Sequence, residues 1–120
     1  MSDVADVEAS VRLYIDSWHR GEADGMSRSL HDQLVKRRVD PETDSGSGNL
    51  SEVTKGQMVE YTAAGGGADP SAPVEVVVDD VEGDIASARV GTPHYLDYLH
   101  LVRTTDGWQI VNDLFRRRTA

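Results

Sequence analysis

Apolar residues recur at intervals of three and four along the first eighteen positions of the chain. They are Val4, Val7, Val11, Tyr14, Ile15 and Trp18. This spacing places them on one face of an amphipathic helix. Ser2 or Asp3 can cap the start of the helix, and Gly21 suits the left-handed residue that follows its end. The pattern therefore predicts a first helix that stops just before Gly21.

A second, shorter helix is predicted after it, with Asp24 as its cap and Met26, Leu30 and Leu34 on its apolar side. The stretch 34–39 then has the composition of a strand. Its three consecutive cations indicate a sheet edge, where charge blocks pairing with other chains. Residues 40–49 are polar and rich in glycine, serine and proline, which predicts a flexible loop.

A third helix is predicted from Lys55 to Ala64. Thr54 and Gln57 have the spacing of a capping box, and Met58 and Tyr61 share one side of the helix. Three glycines at 65–67 end it. They are not a phosphate loop, because they match neither GxGxxG nor GKS/T and follow a helix rather than a strand.

The rest of the chain alternates as strands do, over 74–82, 84–91, 95–104 and 107–116, with glycine-containing turns between the segments. The predicted order is α-α-β-α-β-β-β-β, in which the helices are segregated from an antiparallel meander. This is an α+β fold. We expect residues 1–120 to form a single domain with one core.

The last hairpin carries the candidate chemistry. A two-residue turn at Asp106-Gly107 would place Asp97 opposite Arg116, His100 opposite Asp113, and Leu101 opposite Asn112. The face with Asp97 and Asn112 also carries Trp108 and Ile110, so we assign it to the interior. A buried carboxyl of Asp97 could act as an acid, whereas at the rim it would form a salt bridge with Arg116. A bulge in the last strand would exchange the two faces.

Composition excludes several classes of function. The chain has no cysteine, which rules out disulfides, thiolate catalysis and cysteine-bound zinc. A net charge of −9 disfavours binding to nucleic acid and to anionic membranes. The first ten residues lack the basic and apolar regions of a signal peptide, and no apolar run reaches the length of a membrane span. We therefore expect a soluble cytoplasmic protein.

Metal and nucleophile signatures are also absent from the sequence. His94 and His100 share a strand face but lie about 20 Å apart at about 3.4 Å per residue. There is no HExxH and no GxSxG. We expect neither a metal nor a cofactor.

Three segments carry a resemblance to a known family: SLHDQLVKRRV, VTKGQMVEYTAAGG and DYLHLVRTTDGWQIVNDLF. Together with the element order they resemble the NTF2-like superfamily, of the SnoaL and ketosteroid-isomerase type, and most of all its putative lumazine-binding group. The resemblance implies a curved sheet wrapped around a long helix as a cone, a pocket at the open end, and a homodimer formed through the outer face of the sheet.

The resemblance also suggests site residues. Tyr14 and Asp97 are placed similarly to the helix tyrosine and protonated strand aspartate that form the oxyanion hole of ketosteroid isomerase. That enzyme also uses an aspartate base at the start of its first strand, but the stretch 34–39 has no carboxylate and only Asp32 and Asp40 flank it. The predicted ligand-binding residues are Tyr14, Trp18, His31, Met58, Tyr61, Asp97 and Asn112, with His31 as a base at the pocket mouth.

Three functions remain open on the sequence. The first is binding of a small, largely apolar or aromatic molecule in the cone. The second is catalysis of an isomerase, dehydratase or cyclase type, with Tyr14 and Asp97 transferring protons. The third is a non-catalytic dimeric scaffold whose own side chains fill the pocket. A second carboxylate or histidine facing Asp97 inside the cone would favour the enzyme.

Overall fold

Three helices pack against one six-stranded sheet in the computed structural model, which describes residues 2–39, 49–67 and 69–118. The strands lie in the order β2-β1-β6-β5-β4-β3. The elements are α1 (Asp3–Arg20), α2 (Ala23–Ser29), β1 (Leu30–Val39), β2 (Leu50–Val53), α3 (Lys55–Ala63), β3 (Glu75–Glu82), β4 (Ile85–Gly91), β5 (Tyr95–Thr104) and β6 (Gly107–Arg117). The α+β class is confirmed, as is the meander of the last four strands.

The first helix has the predicted ends. The side chain of Ser2 accepts a hydrogen bond from the backbone N–H of Ala5 at 3.1 Å. At the other end Gly21 adopts a left-handed φ of +70°, a conformation that glycine takes without steric cost. The predicted apolar stripe is buried at Val7, Val11 and Ile15, which places α1 across the inner face of the sheet.

The second helix is shorter than the pattern predicts. Its N-cap position is Glu22 rather than Asp24, without a hydrogen bond from the side chain. The helix ends at Ser29, so Leu30, expected on the helix, is instead the first residue of β1. Leu30 is fully buried opposite Ile110 of β6. Pairing with a strand distant in sequence has overridden the local helical spacing.

The third helix begins as predicted, with both bonds of the capping box present. Gln57 N–H donates to Thr54 Oγ1 at 3.1 Å, and the Gln57 side chain accepts from Thr54 N–H at 2.9 Å. Of the predicted loop 40–49, only Asn49 belongs to the described residues. The strand β2, which follows it, was not predicted and pairs antiparallel with β1.

The prediction that 34–39 lies at a sheet edge is wrong. The strand β1 lies between β2 and β6, and it runs parallel to β6. The sheet is therefore mixed rather than wholly antiparallel. The consecutive cations do not share one environment, because side chains alternate between faces: Arg37 is exposed, whereas Lys36 points inward and is only 3 % exposed.

The two strands of the last hairpin pair in a different register from the predicted one. Its tip is Thr105-Asp106, with Thr104 opposite Gly107, and Thr104 Oγ1 accepts from the N–H of Asp106 at 3.0 Å. The register then shifts between His100 and Leu101, which leaves Val111 as an extra residue in β6. This bulge changes which residues of β6 face inward.

The predicted pairs are wrong as a result. Asp97 lies opposite Phe115, and Arg116 lies opposite Leu96, so there is no rim salt bridge between Asp97 and Arg116. His100 faces Asn112 across the two strands, and Asp113 faces Leu99.

The core lies between the helices and the inner face of the sheet. The inward positions of the hairpin include Leu99, Leu101 and Ile110, all at most 1 % exposed. On the outer face Tyr98 and Leu114 are paired across the strands and are 54 % and 46 % exposed. Among the described residues, no helix has both the length and the apolar character needed to cross a membrane.

Candidate functional site

A cavity of about 180 Å³ opens between α1, α3 and one end of the inner sheet face. Its walls are apolar and aromatic, and its inner end is polar, because Tyr14, Lys36 and Asp97 are all at most 4 % exposed. More exposed side chains, among them Tyr61, Arg38 and Arg117, stand at its mouth. The remaining lining residues are Ile15, Trp18, Val53, Met58, Tyr95 and Phe115.

The sheet register explains how these residues come together. On the inner face, Lys36 of β1 is next to Asp113 of β6, and Asp113 is next to Leu99 of β5. Two residues further towards the mouth, the same three strands present Arg38, Phe115 and Asp97 in one row, and the next row contains Arg117 and Tyr95. Side chains two residues apart on a strand share a face, so the cavity floor is a regular grid.

The helices hold the other wall through close contacts. The glycine run after α3 crosses α1 at Trp18, whose carbonyl accepts a hydrogen bond from Gly67 N–H at 3.1 Å. A Cβ atom on Gly67 would lie 2.6 Å from the indole Nε1 of Trp18, so a larger residue would collide with the indole ring. At the start of α3, the Lys55 ammonium donates to the carbonyl of Leu30 at 2.8 Å and ties that helix to β1.

Four side chains form a buried polar cluster at the inner end of the cavity. The Lys36 ammonium lies 2.6 Å from the Tyr14 hydroxyl oxygen, 3.0 Å from Asp113 Oδ2 and 3.8 Å from Asp97 Oδ2. The Tyr14 hydroxyl is in turn 3.0 Å from Asp97 Oδ2 and 3.2 Å from Asp113 Oδ2. Phe115 covers the ammonium, with its ring centroid 4.4 Å away.

Hydrogen-bond counting limits what this cluster can offer a ligand. The Tyr14 hydroxyl accepts from Lys36 and has one proton, which it donates to one of the two carboxyl groups. Its donor capacity is thus used within the protein. Among the described residues, Asp113 Oδ1 is buried and has no hydrogen-bond partner. Asp97 and Lys36 are the cluster members that reach the cavity with capacity to spare.

Burial sets the protonation of the cluster. Loss of hydration raises the pKa of Asp97 well above its usual value, and the negative charge of Asp113 raises it further, while Lys36 opposes both effects. Burial and the same two carboxyl groups raise the pKa of Tyr14 well above its ordinary 10.0. With a proton on Asp97, the cluster contains one ammonium and one carboxylate and is electrically neutral.

The structure brings five of the predicted site residues to this cavity. They are Tyr14, Trp18, Met58, Tyr61 and Asp97. The predicted placement of His31 and Asn112 is wrong, because both line a separate groove that includes outward-facing residues of β4 and β5. There Asn112 Nδ2 lies 3.3 Å from His100 Nδ1. The roles proposed for the cavity residues remain predictions.

Sequence analysis did not predict Lys36 and Asp113 as residues of the site. Lys36 shares a strand face with Leu34, and this alternation was the available signal, but three consecutive cations led us to expect an exposed edge. Asp113 lies on the inner face only because Val111 bulges out of the ladder. No three histidine, aspartate or glutamate side chains of the described residues gather as metal ligands.

Comparison with known proteins identifies the family. Residues 2–116 match the model of the family described as putative lumazine-binding, and the chain belongs to that family. No curated protein matches the chain.

Solved structures share the fold at low sequence identity. An NTF2-like protein of unknown function from Silicibacter pomeroyi is 20 % identical, with a TM-score of 0.79 over 96 % of this chain and 95 % of that one. A ketosteroid isomerase-like protein from Erwinia carotovora atroseptica is 15 % identical, with a TM-score of 0.70 over 99 % and 98 %. A protein described as a putative dehydratase from the NTF2-like family, from Streptomyces avermitilis, is 16 % identical, with a TM-score of 0.57 over 98 % and 97 %. The chain has the NTF2-like fold.

Proposed function

We propose that this protein binds a compact, flat and largely apolar or aromatic molecule in the cavity between α1, α3 and the sheet. The observation that carries the proposal is a cavity with apolar and aromatic walls that ends in one buried polar cluster, the arrangement typical of small-molecule sites. Its volume of about 180 Å³ is below the roughly 300–1,000 Å³ of drug-sized pockets, which favours a ligand of one or two rings. The description of the family points to lumazine, a flat bicycle of this kind.

The hydrogen bonding of the Tyr14 hydroxyl favours binding over catalysis. An oxyanion hole needs donors aimed at the substrate, but the hydroxyl proton of Tyr14 is donated to a buried carboxyl group. The stretch where ketosteroid isomerase has its base contributes cations to the cavity, Lys36 and Arg38. Among the described residues that line the cavity, Asp97 is the one acidic group.

One observation supports an acid–base enzyme of the isomerase, dehydratase or cyclase type as the second candidate. Asp113 is a second carboxyl group beside Asp97, and paired carboxyl groups of unlike protonation are common in active sites. In that case Asp97 would be the proton donor, because burial and the charge of Asp113 raise its pKa. The neutral cluster would then supply a proton to a substrate rather than only a hydrogen bond.

Tryptophan fluorescence and titration calorimetry with lumazine, 2-naphthol and indole can test binding. We expect at least one probe to bind. Val53→Trp fills the cavity from β2, so it should lower the affinity for that probe more than tenfold. Leu50→Trp adds the same side chain at an exposed position of the same strand and should leave the affinity unchanged. If no probe binds, or if both variants behave alike, the cavity is not a ligand site and the scaffold function is favoured.

The variant Asp97→Asn separates the binder from the enzyme. It keeps the shape of the side chain and a hydrogen-bond donor but removes the titrating group. A binding protein should keep its affinity within about tenfold, or ~1.4 kcal/mol. An acid–base enzyme would lose ~10²–10⁴-fold in turnover.

We also propose that the protein is a cytoplasmic homodimer that pairs through the outer face of the sheet. The helices cover the inner face, while Tyr98, Leu114 and Ile85 are 54 %, 46 % and 58 % exposed on the other side. Exposed apolar groups on a sheet favour a partner that covers them. Light scattering should give about twice the 13.1 kDa mass of one chain, and a value near 13.1 kDa at tens of micromolar would exclude the dimer.

A further inference from the structure

We propose that Lys36 forms a Schiff base with the ligand of this cavity, and that the ligand is a flat aromatic compound with an aldehyde or ketone group. The inference rests on the proposed function, because it names the chemical class of the ligand for the same site. It adds a covalent step, for which the carbonyl group of the ligand lies at the buried end. Lumazine has only amide-type carbonyl groups, so a ligand of this class is a different ring compound of similar size.

Lys36 is a buried amine on the wall of an apolar cavity. It lines the cavity, and its side chain is only 4 % exposed. The chain has one other lysine, Lys55, whose side chain is 21 % exposed and lies 2.9 Å from Asp32. Lysine is almost never buried unless its charge is paired, and amines that condense with carbonyl compounds are typically removed from water in this way. The two lysines therefore differ in the property that such chemistry requires.

The ammonium of Lys36 has one N–H group left for a ligand. Its nitrogen lies 2.6 Å from the Tyr14 hydroxyl oxygen and 3.0 Å from Asp113 Oδ2, which accept two of the three N–H groups. Asp97 Oδ2, at 3.8 Å, is beyond hydrogen-bond distance. Among the described residues, the third N–H group is thus the one that the oxygen of an incoming carbonyl group can meet.

The two carboxyl groups of the cluster can move the protons that the reaction needs. Asp113 Oδ2 lies against the ammonium and can take one of its protons, which leaves the free amine as the nucleophile. Asp97 lines the cavity, and burial and the charge of Asp113 raise its pKa, so it can give a proton to the carbonyl oxygen. A base and an acid therefore stand on the same nitrogen, as general acid–base catalysis requires.

The reaction returns the cluster to its starting charge. The ammonium gives a proton to Asp113, and the free amine attacks the carbonyl carbon while Asp97 protonates the oxygen. The nitrogen of this carbinolamine then returns a proton to Asp97. The hydroxyl group takes the proton held by Asp113 and leaves as water while the C=N bond forms. One ammonium and one carbonyl compound thus give one iminium and one water, and the iminium is again a cation beside the Asp113 carboxylate.

Aromatic rings suit both the ligand and the iminium. The ring centroids of Phe115 and Tyr14 lie 4.4 Å and 5.1 Å from the Lys36 nitrogen, within the range in which an aromatic ring stabilises a cation. Trp18 lines the same cavity and offers an apolar surface to a flat ring.

Reductive trapping tests the Schiff base directly. The native protein is incubated with 2-naphthaldehyde and sodium cyanoborohydride, which reduces an imine to a stable amine, and the modified residue is located by peptide mass spectrometry. We expect one naphthylmethyl group on Lys36, added at least about tenfold faster than on Lys55, the matched control within the same chain.

Two further measurements tie the reaction to the cavity. 2-Naphthalenemethanol has the same rings but no carbonyl group, so it should compete with the aldehyde and slow the labelling of Lys36 but not that of Lys55. Val53→Trp, which fills the cavity, should also slow the labelling of Lys36, whereas Leu50→Trp should not.

The possible results separate the two proposals. If 2-naphthalenemethanol binds in titration calorimetry but Lys36 is labelled no faster than Lys55, the Schiff base is overturned and the cavity remains a binding site. If Lys36 is labelled quickly but neither 2-naphthalenemethanol nor Val53→Trp slows the reaction, the aldehyde does not react from the cavity and the inference also fails. If no probe binds and Lys36 is not labelled, both proposals are overturned.

Discussion

Replacing Lys36 with methionine should destabilise the protein strongly at neutral pH and weakly in acid. The variant keeps the length and the apolar stem of the side chain but removes the one cation from the buried cluster. Asp97 and Asp113 then lie together, 4 % and 3 % exposed, with no positive charge within the cluster. Removing one partner of a buried ion pair typically costs about 3–5 kcal/mol.

The size of the stability loss in Lys36→Met can also be estimated from the cost of protonating a carboxyl group. Without Lys36 the folded chain tolerates a second buried carboxyl only in its neutral form. Keeping an aspartate neutral at pH 7, about three units above its ordinary pKa of about 3.9, costs about 4 kcal/mol, because each unit is worth about 1.4 kcal/mol. At pH 5 the same cost falls to about 1.5 kcal/mol.

The free energy of unfolding falls with rising pH in both the native protein and Lys36→Met, but it falls more steeply in the variant. In the native protein the raised pKa of Asp97 means that the folded state binds a proton that the unfolded state releases, so this contribution to stability falls as pH rises above about 4. The folded state of Lys36→Met must bind one proton more than the folded native protein, because its second buried carboxyl group must also be neutral. The difference in the free energy of unfolding between the two should therefore grow by about 1.4 kcal/mol per pH unit between about pH 4 and 7.

Urea unfolding followed by circular dichroism at pH 5, 6 and 7 measures this difference. Arg37→Met is the matched control, because Arg37 is the next residue of the same strand and is exposed. The free energy of unfolding of this control should lie within about 0.5 kcal/mol of that of the native protein. Lys36→Met combined with Asp113→Asn should recover stability at pH 7, since asparagine needs no proton. A loss for Lys36→Met below about 1 kcal/mol, or one that does not vary with pH, would refute the account of a dry, charge-balanced cluster.

Two further predictions concern packing and assembly. A Cβ atom on Gly25 of α2 would overlap the Ser17 hydroxyl of α1, which is buried and has no hydrogen-bond partner among the described residues, so Gly25→Ala should cost about 1–3 kcal/mol in thermal unfolding. Most of that loss should disappear in a Ser17→Ala background, and an equal loss in both backgrounds would contradict the overlap. Leu114→Asp, on the outer face of the sheet, should lower the mass measured by light scattering towards the 13.1 kDa of one chain, and an unchanged dimer mass would place the interface elsewhere.

The parts of the fold that depend on neighbouring residues were determined by the sequence itself. The ends of α1 and the capping box of α3 follow from contacts within a few positions, and each strand of the meander follows from an alternation that its own residues display. Helix caps and period-two alternation are local physical rules, and a single sequence displays them. The same local spacing is enough to place Tyr14, Trp18 and Asp97 on the inward sides of their helix and strand.

Only the tertiary structure decided where β1 lies and which carboxyl group joins the cluster. The strand β1 is interior because it pairs parallel to β6, which follows it by some seventy positions, and no local pattern reports such a pairing. A single extra residue, Val111, turns Asp113 inward and Asn112 outward, because strand side chains alternate and a shift of one position exchanges the two faces. The stretch 34–39 therefore has the composition of an exposed edge, yet its Lys36 becomes the buried cation of the site once β6 supplies Asp113 beside it.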